Sequence, residues 1–119
     1  MDAKENLELI GIARIKIHEG KLDEFKRVSR ECIDIARALD TGTLEYAVYI
    51  GQDSSEAMII ERYKDSQALI EHIAHIGDRN QEILATGIMT GVLLGKPNAA
   101  LLAMMASSPV QIFTSLMAM

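Results

Sequence analysis

Tryptophan is absent from this chain, cysteine occurs once, and aromatic side chains make up only 4% of its residues. The single thiol, Cys32, excludes an internal disulfide, and no Cys/His spacing suits a structural zinc. Long apolar runs are missing as well. Hydrophobic residues reach 49% of the composition, yet no uninterrupted run approaches the roughly 20 residues that a membrane-spanning helix needs. Basic clusters are also lacking. The formal charge is −5 and the lysines and arginines are scattered, so no concentrated positive surface exists to neutralise phosphates, and nucleic acid is excluded as a partner. The opening Met1-Asp2-Ala3-Lys4-Glu5-Asn6 is polar and lacks the apolar middle of a secretory signal. A cytoplasmic location without a membrane partner is the expectation. Neither a glycine-rich phosphate loop, a nucleophile elbow nor an internal repeat is present.

The 119 residues are about one domain's worth, so one core and one pocket per subunit are expected. Leu9 to Ile17 alternates as a strand with one mainly apolar face, closed by His18-Glu19-Gly20. From Lys21 the period changes to three or four: Leu22, Phe25, Val28, Cys32, Ile33, Ala36 and Leu39 form an apolar stripe, the signature of a helix lying on a sheet. Asp40-Thr41-Gly42 ends it, with Gly42 expected in the left-handed conformation. Strands Thr43 to Ile50 and Ala57 to Tyr63 follow, joined by a polar hairpin connection. Asp65 or Ser66 caps a second helix whose core stripe is expected at Leu69, Ile70, Ile73 and Ile76. Beyond Gly77 the pattern offers a further helical stretch from Asp78 to Ala85, a strand from Gly87 to Leu94, a break at Gly95-Lys96-Pro97-Asn98, a helix from Ala99 to Ala106 and a last β-rich stretch from Val110 to Leu116.

Strand, helix, strand, strand, helix, strand is the order of the ferredoxin-like split βαβ unit, an α+β fold with an antiparallel sheet and helices on one face. Residues 9–95 form the core and 96–119 an accessory helix and strand. The other sheet face is left bare, and the simplest cover is a second copy, sheet against sheet, with the segment after Pro97 reaching across.

Candidate chemistry gathers around His72, at the border of the expected stripe and directed toward a pocket, with His75 farther round beside Glu71. A metal is not expected, because zinc needs three or four protein ligands and a third is not evident near this pair. Tyr46, Tyr49 and Tyr63 all lie on the hairpin strands. Glu61 and Arg62 alternate sides, so at most one faces the pocket, and Arg14 carries the same ambiguity; a solvated charge is the default for each. Met58, Met89, Met104, Met105, Met117 and Met119 suit a dimer core or a cavity for an apolar, aromatic ligand, while Cys32 reads as core packing.

Three stretches, Ala13-Arg14-Ile15-Lys16-Ile17-His18-Glu19-Gly20-Lys21, Gly42-Thr43-Leu44-Glu45-Tyr46 and Glu61-Arg62-Tyr63-Lys64-Asp65-Ser66, resemble the matching parts of the antibiotic biosynthesis monooxygenase family. The resemblance spans about Leu9 to Gly95 and implies a homodimer of ferredoxin-like domains, a dimeric α/β barrel. It also implies oxidation of an aromatic phenol or quinol by O₂ without metal, flavin or other cofactor. In that chemistry the substrate anion supplies the electrons, and the protein supplies an apolar pocket, a base and donors. On this resemblance His72 is the candidate base and Tyr63 the hydrogen-bonding partner, with Tyr46, Tyr49, Met58 and Arg14 as substrate contacts. The haem-degrading branch of the family is not matched, since Ala13 and Tyr63 stand where it carries asparagine and tryptophan. The alternative is a non-catalytic or stress-related dimer that only binds or protects a small apolar molecule, or whose cavity is a packed remnant in a structural dimer, and a cavity either open toward His72 or filled by methionines separates the two.

Overall fold

The computed structural model describes residues 6–119; positions 1–5 of the polar opening lie outside the described residues. Nine elements follow in the order β1 (Leu9–Ile17), α1 (Leu22–Leu39), β2 (Thr43–Ile50), β3 (Glu56–Tyr63), α2 (Ser66–Ile76), α3 (Arg79–Leu84), β4 (Gly87–Leu94), α4 (Ala99–Met104) and β5 (Gln111–Phe113). The sheet order is β2-β3-β1-β4-β5. Its first four strands pair antiparallel, as the split βαβ unit requires. The fifth strand departs from the expected all-antiparallel sheet: β5 is short, pairs parallel with β4 of its own chain, and sits at the edge, so the sheet is mixed. Among the described residues no helix is long and apolar enough to cross a membrane.

Strand registers sort every side chain to a face. Tyr46, Glu61, Gly11 and Leu93 form one cross-strand row, and Val48, Ile59, Ala13 and Gly91 the next; both point to the helices. The intervening row, Ala47, Ile60, Ile12 and Val92, points the other way. On the helix side α1 lowers Phe25, Val28 and Cys32 onto Ile15, Ala57 and Ile59, joined by Ile76 and Ile83. Each large side chain buried there contributes about 1.5–3 kcal/mol. A smaller core joins Leu9, Leu93 and Leu101 and takes in Leu69, Ile70, Met105 and Val110.

Local chemistry explains the junctions. Gly20 turns the chain from β1 into α1 at φ +81°, where a side chain would be strained. Gly42, expected in the left-handed conformation, has no positive φ. It is small for a different reason: a Cβ there would lie 2.5 Å from Cβ of Ala68, where β2 meets the start of α2. Asp65 caps α2, its carboxylate accepting from Ala68 N–H at 2.8 Å. Asp65→Ala should therefore cost about 1 kcal/mol, read as a lower urea midpoint at unchanged slope; an unaltered midpoint would show that the cap contributes nothing. Asn98 caps α4 in the same way through Leu101 N–H. Its own N–H donates to Ser66 Oγ at 2.9 Å, which ties the accessory helix to α2.

Candidate functional site

Between the two cores a cavity of about 440 Å³ remains open over the sheet. Its floor is low because Gly11, Ala13 and Gly91 offer almost no side chain there. Its walls are apolar, with Ile59, Leu69, Ile76, Ile83, Leu93 and the methionines Met89, Met104 and Met105. The polar groups Tyr46, Glu61, Tyr63 and His72 all reach it.

His72 is 2% exposed, not half-buried at a stripe border as the periodicity suggests. The buried side of α2 runs through Ala68, His72 and Ile76, while Ile73 is 36% exposed and lines the cavity from farther out. The imidazole is fixed from behind by Asp40, the residue that caps the C-terminus of α1. His72 Nδ1 lies 2.6 Å from Asp40 Oδ2, His75 Nδ1 lies 2.6 Å from Oδ1, and Thr43 Oγ1 donates to Oδ2 at 2.6 Å. The Asp40 side chain is only 1% exposed. Burial opposes its ionisation, but the bonds from His75, Thr43 and His72 outweigh that effect and hold the carboxyl below the usual carboxylate range. A carboxylate only accepts, so His72 carries a proton on Nδ1, and in the neutral imidazole Nε2 presents a lone pair. Nε2 is buried and has no hydrogen-bond partner.

In front of Nε2 stands Glu61, its Oε1 3.8 Å away, beyond hydrogen-bond reach. Tyr63 donates its hydroxyl proton to the same Glu61 oxygen. Rings of Tyr46 and Tyr63 flank the imidazole with centroids 5.4 and 5.5 Å away, tilted by 47° and 48°. Burial pushes the pKa of Glu61 up, against the opposing pull of the Tyr63 hydrogen bond. Burial, reinforced by the Glu61 charge, also pushes both tyrosines well above the usual phenol range, so they stay neutral donors. Cys32 is buried and its thiol likewise raised by desolvation, which suits the packing role expected of it.

Three of the six residues singled out from sequence, His72, Tyr63 and Tyr46, meet in this cavity. The other three do not join them. Tyr49, Met58 and Arg14 form a cross-strand row on the opposite face of the sheet, because Tyr49 is an odd number of residues from Tyr46 and Met58 from Tyr63. Arg14 pairs with Glu56 there at 2.6 Å and borders a separate shallow depression with Ile12, Thr90, Val92, Pro109 and Gln111. Two residues of the site, Asp40 and Glu61, were not expected from sequence. Glu61 is no solvated charge but a cavity group, 24% exposed. Among the described residues the two histidines do not share a ligand group with a third residue; donor atoms of Asp40, Glu71 and His75, without His72, lie within 4.8 Å of one another. Each already has a hydrogen bond: His75 to Asp40, and Glu71 from Thr41 N–H at 2.6 Å and Thr41 Oγ1 at 3.0 Å.

The same fold, over nearly the whole length, occurs in MupZ from Pseudomonas fluorescens, which is 20% identical with a TM-score of 0.83 and coverage of 96% of this chain and 94% of that one. Rv0793 from Mycobacterium tuberculosis is 22% identical with a TM-score of 0.66, covering 78% and 98%. SnoaB from Streptomyces nogalater, a cofactor-independent oxygenase, is 16% identical with a TM-score of 0.65, covering 77% and 95%. No curated protein matches the chain in sequence. The sequence profile of antibiotic biosynthesis monooxygenase matches residues 9–75, more than half of the chain and the span that carries β1 through α2 with Asp40, Glu61, Tyr63 and His72, and on that match this protein belongs to the antibiotic biosynthesis monooxygenase family.

Proposed function

We propose that this protein is a cofactor-independent monooxygenase that oxidises a small aromatic phenol or quinol with O₂, and that it works as a homodimer. One observation carries the reading: His72 Nε2 is a buried base without a partner, oriented by Asp40 and facing an apolar cavity. Leaving such an atom unpaired costs about 1–3 kcal/mol, a cost that a bound hydroxyl would remove. The cavity is bordered by methionines but not filled by them, which favours turnover over a packed remnant. The family match and the fold shared with SnoaB, itself a cofactor-independent oxygenase, support the same reaction class.

In the proposed reaction Nε2 takes the phenol proton. The phenolate then passes electrons to O₂, and a ring carbon bearing hydrogen forms a bond to oxygen as a hydroperoxide. Cleavage of the O–O bond with loss of that hydrogen leaves a quinone carbonyl and one water, so phenol plus O₂ gives quinone plus H₂O. Tyr63, its proton held on Glu61, stays neutral and braces the polar end of the cavity. The apolar walls keep bulk water from the anion, where electrostatic stabilisation is strongest.

Oxygen uptake with a panel of hydroquinones and naphthols tests the reading. His72→Ala should lower the rate by about 10²–10⁴-fold, the usual contribution of a positioned base, and should release less quinone in proportion. Equal rates in the two proteins would eliminate the role given to His72, and no uptake with any member of the panel would leave binding without turnover as the better account.

A further inference from the structure

Glycine in the interior of a central strand weakens it, because it adds nothing to the packing and loses the most freedom on folding. β1 is such a strand, held between β3 and β4, and it carries Gly11; its partner β4 carries Gly87 and Gly91. Gly87 has a steric reason, since a Cβ there would lie 2.2 Å from the Lys16 carbonyl oxygen. The other two have none. Neither has a positive φ. Apart from its chain neighbours, a Cβ at Gly11 would meet only the Glu61 Cβ, at 3.8 Å. One at Gly91 would find its three nearest atoms, all on β1, at 3.4 to 3.8 Å, which is ordinary contact. Alanine therefore fits at both positions, in space and in backbone, and the sheet forgoes the stability it would add.

Placement shows what the two glycines leave free. The register sets Gly11 beside Leu93 and Ala13 beside Gly91, so Gly11, Ala13 and Gly91 occupy adjacent positions on the helix side of the sheet. From the spacing of strands and of alternate residues, they clear a bare patch of roughly 5 by 7 Å. Larger side chains frame it, Glu61 and Ile59 on β3 and Leu93 and Met89 on β4. The patch and its frame all line the cavity, and among the described residues no helix side chain descends to within 4 Å of a Cβ at Gly11. An independent observation marks this space as one for a ligand: His72, 2% exposed, brings its unpartnered Nε2 to the same cavity.

We infer that Gly11 and Gly91 determine the specificity of this cavity: their missing side chains set its depth, so that a bound molecule rests directly on the backbone of β1 and β4, and the sheet is less stable than it could be in order to keep that room. The inference rests on the reading of the His72 cavity as a binding site and deepens it by naming the residues that fix the size of what is admitted. Gly11 is the stronger determinant, because it lies directly across from Glu61 at the polar end of the cavity and has open space above it. A side chain added there takes its volume from the ligand rather than from the core. Such an arrangement has a signature that neither a packing role nor a turn role produces, since substitution makes the fold firmer and the cavity poorer at the same time.

Urea unfolding together with NMR titration of the full chain, with phenol and 2-naphthol as probes of two sizes, tests this. Gly11→Ala should raise the urea midpoint at unchanged slope, and Gly87→Ala should lower it. The wild type should bind both probes, with the Gly11 and Gly91 amide resonances among those that move. Gly11→Val should lose at least about tenfold in affinity for 2-naphthol, the discrimination that a small change of volume achieves in an apolar pocket, and keep its phenol affinity within a few-fold. Gly11→Ala should show the same difference to a smaller extent, so the test stands even where the valine variant does not fold. A lower midpoint for Gly11→Ala would show that the backbone needs the glycine. Unchanged naphthol affinity on substitution would show that the ligand lies elsewhere, and an equal loss of both probes that the position does not select by size. Each of these results, like a wild type that binds neither probe, would overturn the inference. Oxygen uptake is a separate readout: the expected stability and binding pattern without turnover sinks the oxygenase reading alone, and turnover of the naphthols by Gly11→Val at the wild-type rate sinks the specificity inference alone.

Discussion

Asp40→Ala is expected to lower stability by about 1–3 kcal/mol, the cost of leaving buried donors without their acceptor, and to remove the basicity of His72 in the same step. Three donors converge on this one carboxylate, from two turns of α2 and from the first residue of β2. Without it, Nδ1 of His72 is buried with nothing to bond, and the end of α1 keeps only the Thr41–Glu71 bonds to α2. Asp40→Asn separates the two consequences. The amide retains the shape and one acceptor, so the fold should survive with a smaller loss, but its NH₂ cannot accept from an imidazole. Where the NH₂ faces His72, the ring proton moves to Nε2 and the cavity side becomes a donor. Oxygen uptake should then drop about as far as in His72→Ala while the circular dichroism spectrum stays native. The pH dependence has a definite sign. The folded carboxyl lies below its unfolded value of about 3.9, so its contribution is complete above that value and fades as pH falls through the folded pKa. The difference in unfolding free energy between wild type and Asp40→Asn should thus be constant near neutrality and shrink only below about pH 4. A variant as stable as wild type at pH 7, or a difference indifferent to acid, would show that Asp40 is not ionised in the fold.

Alternation and helical period carried most of the architecture in the sequence. β1, β2 and β4 begin and end where their patterns do, and α1 starts one residue after the expected Lys21. The site was only half legible, for reasons that can be traced to single residues. Asp40 reads as part of a helix stop, and its partner His72 is 32 positions away, so the contact arises only when β2 and β3 bring α2 back beside the end of α1. Glu61 did leave a signal. It alternates in step with Ala57, Ile59 and Tyr63, so it belongs to the buried face, but the default for a carboxyl is solvent. His72 was displaced from the stripe by the pull of the larger aliphatics Leu69 and Ile73. The spacing of four from Ala68 through His72 to Ile76 is the one that faces the sheet, because the tight approach at Gly42 needs a small residue at Ala68. The opposite orientation of Tyr49 and Met58 follows from counting along each strand.

Ile60→Asp is expected to turn a dimer into single chains, because Ile60 sits at the middle of the face that points away from the helices. Ala47, Ile60, Ile12 and Val92 form its central row, Ile10 and Leu94 extend it on one side, and Tyr49 and Met58 on the other. The chain's own accessory segment leaves most of that row uncovered, with only Pro109 and Gln111 bordering Ile12 and Val92. β5 ends at Phe113 on the edge of the sheet, and Leu116 beyond it is 89% exposed. A second copy is self-complementary to the face, and burying about 1000 Å² of apolar surface at roughly 25 cal/mol per Å² supplies a gross 25 kcal/mol. That exceeds the 4–15 kcal/mol that association costs. A carboxylate at Ile60 would be desolvated against its own copy across the two-fold axis, with the nearest cations, Arg62 and Arg14, already paired to Glu8 and Glu56. Sedimentation velocity at micromolar concentration should give twice the chain mass for wild type and the single-chain mass for Ile60→Asp, which should also unfold at lower urea because the apolar row is left wet. A wild type that sediments as a single, well-folded chain would remove the dimer from the proposal, but not the His72 cavity, which lies on the helix side of the sheet among this chain's own residues.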